Sequence, residues 1–89
     1  MNPAHINDVL LQVAKECLER GPGFSQESVV LRGAAERLRI DPGNDEEQQE
    51  LLTCWHDLFR EGVLSWGYNV DNPNAPFFHI RARTKAIAS

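Results

Sequence analysis

Eighty-nine residues with a net charge of −4 bound one small domain, expected over 1–89, because a chain this short buries only about 60–68% of its unfolded surface. With 42% hydrophobic and 25% charged residues, wholesale disorder is excluded, and no run approaches the about 18 apolar residues of a membrane span. Two cysteines, Cys17 and Cys54, are too few for a disulfide framework; with no signal peptide at the start they point to a reducing, cytoplasmic setting.

Asn2-Pro3 supplies a cap and a first-turn proline. Ile6, Val9, Leu10, Val13, Ala14, Cys17 and Leu18 then recur at three- and four-residue steps, which predicts an amphipathic helix over about 3–20. Gly21-Pro22-Gly23 ends it. Ser25 is a good cap for a second helix over about 26–38, with Phe24 and Val29 spaced as a hydrophobic staple. Val30, Leu31, Ala34, Ala35 and Leu38 give its apolar side, and Gly33 weakens it unless a neighbour approaches closely there.

Ile40-Asp-Pro-Gly-Asn44 reads as a short turn, and Asn44 with Glu47 resembles a capping box for a third helix over about 45–61. At about 100° per residue, Leu51, Leu52, Trp55, Leu58 and Phe59 cover about a third of its circumference and are assigned to the core. Glu46, Gln49, Glu50, Thr53, His56, Asp57 and Arg60 make the opposite face. Gly62 stops the helix, and a hairpin is predicted over about 63–83. Leu64, Trp66 and Tyr68 share one side of its first strand; Phe78, Ile80 and Ala82 alternate with Phe77, His79, Arg81 and Arg83 on its second. The connection from Asn69 to Pro76 is turn chemistry throughout, and 84–89 reads as a frayed tail.

Helix, helix, short turn, helix, hairpin is an α+β order that resembles a winged helix-turn-helix domain over about Pro3 to Arg83, most tellingly in Leu58-Phe-Arg-Glu-Gly-Val-Leu-Ser-Trp66. The resemblance implies a three-helix core with a small sheet beside it. It also implies a third helix that enters a DNA major groove and a wing that touches the backbone or minor groove.

The charges run against the DNA part of that implication. Residues 41–57 hold six acids (Asp41, Asp45, Glu46, Glu47, Glu50, Asp57) and no Lys or Arg. A recognition helix presents its first turns to base edges and phosphates, and these carboxylates would be repelled there. Their position also suits the helix dipole, by about 0.3–1 kcal/mol each, which explains the placement without removing the repulsion. The sequence therefore favours a non-catalytic module that binds another protein or a second copy. Its candidate contacts are Glu46, Gln49, Glu50, Thr53 and Asp57 on the helix and Trp66, Tyr68 and Phe77 on the wing.

The alternative is a DNA-binding regulator that docks through Arg60, Arg81, Arg83 and Lys85 with Asn72 and Asn74 of the wing loop. Backbone contacts from Arg81, Arg83 and Lys85 alone would give a salt slope of only about −2 to −3. No metal is expected, since Cys54 and His56 lie about 200° apart on the helix. No phosphate loop or nucleophile elbow points to a cofactor, a small-molecule substrate or an enzyme.

Overall fold

In the computed structural model, which describes residues 2–81, the apolar stripes become three helices and a hairpin. They are α1 (Pro3–Glu19), α2 (Glu27–Arg37), α3 (Asp45–Arg60), β1 (Leu64–Trp66) and β2 (Phe78–Ile80). The two strands pair antiparallel, with Leu64 opposite Ile80, Ser65 opposite His79 and Trp66 opposite Phe78. The expected α+β class is therefore observed, and the layout is compatible with a winged helix. No described helix is long and apolar enough to cross a membrane.

The helix ends follow from local chemistry. Asn2 Oδ1 accepts from the Ala4 N–H at 2.9 Å, with Pro3 in the first turn of α1. Asn44 Oδ1 accepts from the Glu47 N–H at 3.1 Å, and Asn44 Nδ2 donates to the Glu47 carboxylate at 2.9 Å. That closes the capping box by a side-chain to side-chain bond. At the other end of α3, Gly62 has φ +81°, and the Gly62 and Val63 N–H groups donate back to Phe59 and Leu58. This is a Schellman stop, and it needs a left-handed residue. Helix α2 ends the same way, but there Arg39 takes the left-handed place at φ 55°.

Ser25 is not the cap of α2. The first capping position is Gln26, and Ser25 is fully buried with its hydroxyl donating to the Gly21 carbonyl at 2.8 Å. Phe24 does not act as a staple either; its ring is exposed beneath the Arg20 guanidinium at 3.9 Å. The reason is a third stretch of sheet. Gln26 bridges to Phe77, the Phe78 N–H donates to the Ser25 carbonyl at 3.2 Å, and the Glu27 N–H donates to the Pro76 carbonyl at 2.9 Å. The entry to α2 is thus stitched to the hairpin.

The core draws on all five elements. Ile6, Leu10, Val30, Trp55, Leu64 and Phe78 are its fully buried large side chains, each contributing about 1.5–3 kcal/mol by burial. Trp55 sits edge-on to Phe59 and Phe78, at ring distances of 5.0 and 5.4 Å. Gly33 lets α1 approach, since a Cβ there would meet Val13 Cγ1 at 3.0 Å. Two sequence assignments are corrected. Leu52 is 38% exposed, and Cys54 takes the buried place beside Leu51, Trp55 and Leu58. The strands are three residues each, so Tyr68 falls in the loop instead of continuing β1. The predicted strand end at Ala82 and Arg83, and the tail, lie outside the described residues.

Candidate interaction surface

The cap at Asn44 fixes which way α3 faces. Glu47 is held by the cap, and Gln48 Nε2 donates to the Pro42 carbonyl at 2.7 Å. Glu46, Gln49, Glu50 and Thr53 are left on the exposed side, with Asp57 half-buried two turns further on. These five side chains, with Pro3 and Cys54, line one open groove of about 440 Å³ beside the start of α1. Among the described residues three of the lining side chains are carboxylates and none is Lys or Arg. The helical acid–amide candidates thus share a single site. Burial pushes the Cys54 thiol up in pKa, and Asp57 and Glu50 add to the effect. Burial raises Cys17 likewise.

The three wing candidates differ in exposure. Trp66 is 38% exposed and stacks on Phe59, ring centres 4.0 Å apart. Tyr68 and Phe77 are half-buried. The Tyr68 N–H donates to the Asn72 carbonyl, and the Phe77 carbonyl accepts from the Gly67 N–H, both at 2.7 Å. His79 Nδ1–H also donates to the Gly67 carbonyl at 2.6 Å, so these bonds brace the wing loop. The most exposed of the three wing aromatics is Trp66, on its Phe59 support.

Of the basic candidates, Arg60 bonds Asp57 on its own helix. Arg81 is half-buried, its guanidinium over Gly62, where a Cβ would lie 2.6 Å from Nη1. Both sit at the C-terminal end of α3, where Arg60 is the one basic residue of the helix's last turn, opposite the acidic first turn of Asp45, Glu46 and Glu47 that the dipole favours. Asn72 bonds Asn69 within the loop, its N–H donating to Asn69 Oδ1 at 2.7 Å. Asn74 is exposed, and its carbonyl accepts from the Phe77 N–H at 3.1 Å. Arg83 and Lys85 lie outside the described residues.

Two features had no counterpart in the sequence reading. The Trp55 indole N–H donates to Glu27 Oε1 at 3.0 Å, tying α3 to the first turn of α2. A second groove, of about 400 Å³, runs on the other flank of α3. Its apolar lining is Leu31, Ala35, Ile40, Pro42, Leu51 and Leu52, with Arg32, Glu36 and Gln48 completing it. The partner of the indole was unreadable at 28 positions' separation. The groove could have been sought from Leu52, the apolar residue at the edge of its helical stripe. Compared with known protein families, curated proteins and solved structures, the chain matches none.

Proposed function

We propose that this chain is a non-catalytic winged-helix module that binds a protein partner through the acidic face of α3, with Trp66 of the wing as a neighbouring anchor. The observation that carries this reading is the groove that gathers Glu46, Gln49, Glu50, Thr53 and Asp57 on one face of α3, three carboxylates among its described lining. It occupies the part of α3 that a DNA-reading winged helix inserts among phosphates. A duplex presents about one negative charge per 1.7 Å, so such insertion would set carboxylates against it. A basic surface on a protein partner meets the same charges favourably and is steered toward them. The competing reading, backbone docking on DNA, has less to work with, because Arg60 already bonds Asp57 and Arg81 is folded over Gly62.

The test is a pull-down from cell extract with wild type and with the Glu46→Lys/Glu50→Lys double variant. Both positions are exposed, so the fold is retained and circular dichroism checks it. Loss of partner recovery in the double variant is expected. Unchanged recovery counts against the acidic face as the interface.

A further inference from the structure

The groove between α2 and α3 belongs to no contact described above, and its rim carries a pattern of its own. Arg32 and Glu36 stand one turn apart on the exposed side of α2, and both line the groove. Neither forms an ion pair among the described residues, where the pairs are Arg37–Glu16 and Arg60–Asp57. Beside them lie half-buried Leu31 and Ala35, and across the groove the exposed Leu52.

We propose that this groove is filled by α2 of a second copy of the chain, the two α2 helices running antiparallel about a two-fold axis. The charge pattern selects that occupant. A rim with one cation and one anion has no net preference for a basic or an acidic foreign segment. Its own reversal fits it: an axis midway between Arg32 and Glu36 sets each Arg32 opposite the Glu36 of the other copy, twice by symmetry. A parallel arrangement would instead set Arg32 against Arg32. Ala35, with a single methyl, lets the helix axes come within the about 8–10 Å of packed helices. Each α2 then lies between α2 and α3 of its partner, and Leu52 closes the outer flank. The antiparallel sense also sets the two helix dipoles head to tail. This surface shares no lining residue with the acidic groove, so the dimer does not cover it.

The experiment is sedimentation equilibrium of the full chain across a dilution series reaching about 1 mM, where weak complexes populate. Wild type is expected to rise from 10.1 kDa toward about twice that mass. Arg32→Glu places acids opposite acids and is expected to hold the mass at 10.1 kDa. Arg32→Glu combined with Glu36→Arg restores opposite charges across the axis and is expected to restore the dimer. Melting curves by circular dichroism confirm that these exposed substitutions leave the fold intact. A wild type that stays monomeric at the highest concentration overturns the proposal. So does a dimer that survives Arg32→Glu, or a charge-swapped variant that stays monomeric. Glu46→Lys/Glu50→Lys is expected to dimerise as wild type does, so failure of the acidic interface and failure of the dimer are read separately.

Discussion

Replacing Trp55 by Phe tests how α2, α3 and the hairpin are joined. The phenyl ring can keep the edge contacts to Phe59 and Phe78, but it loses the N–H that reaches Glu27 Oε1 at 3.0 Å. A hydrogen bond to a charged group contributes about 1.5–3 kcal/mol. Glu27 is only half-buried, so water can recover part of that, leaving about 1–1.5 kcal/mol. Trp55 is fully buried, and the void left by a smaller ring, about 40 Å³, adds about 1 kcal/mol. The expected loss is about 2–2.5 kcal/mol, a drop in melting temperature of about 10–20 °C for a domain of this size. Urea denaturation followed by far-ultraviolet circular dichroism measures it. A double-mutant cycle with Glu27→Ala isolates the bond, with an expected coupling of about 1 kcal/mol. A loss below about 0.5 kcal/mol, or equal effects of Glu27→Ala in both backgrounds, would refute the linkage.

Arg39→Gly is expected to stabilise the chain by about 0.5–1 kcal/mol, because a left-handed position at φ 55° suits glycine; the urea midpoint reports it. Gly67→Ala is expected to destabilise by about 2 kcal/mol or more, since φ is +100° and the new Cβ would lie 2.6 Å from the Pro73 carbonyl oxygen. Gly62→Ala meets only the movable Arg81 guanidinium, so thermal melting should rank it the milder of the two. Both buried thiols are raised in pKa, so alkylation of the native chain is expected to begin above the about 8.5 of an exposed cysteine. The folded state holds these thiol protons more tightly than the unfolded one. Their contribution to stability is therefore complete below that pH and is lost as pH rises through the folded values. Urea midpoints across the alkaline range check the sign.

The helical part of the fold was legible because its signals are local. Asn2-Pro3, the Asn44–Glu47 box and Gly62 each act within one turn. The facing of α3 was read less well, and the error has a direction. Measured from Leu51 at about 100° per residue, Cys54, Leu58 and Trp55 fall at about −60°, −20° and +40°, while Phe59 and Leu52 fall at about +80° and +100°. The buried arc is centred near Leu51, rotated about 50° from the arc that the largest apolar residues suggested. Cys54 entered the core and Leu52 was left at the groove. Size marked the candidates, but only the packing of α1 and β1 against α3 decided among them.

The pieces that escaped reading are those that depend on distant chain. Ser25 and Gln26 form a stretch of sheet too short for any alternation to show, held by Phe77 and Phe78 about fifty positions away. The acidic site was legible because exposed charges at helical spacing keep their relative places. The basic set was less so, because the path of the wing folds Arg81 back onto Gly62.

The most direct measurement for the proposal that α3 meets protein and not DNA is a fluorescence-anisotropy titration of the full chain with duplex DNA at about 50 and about 200 mM salt. Little binding is expected at either salt, and Glu46→Lys/Glu50→Lys should raise it. Tight binding by wild type that weakens steeply between the two salts would contradict the assignment.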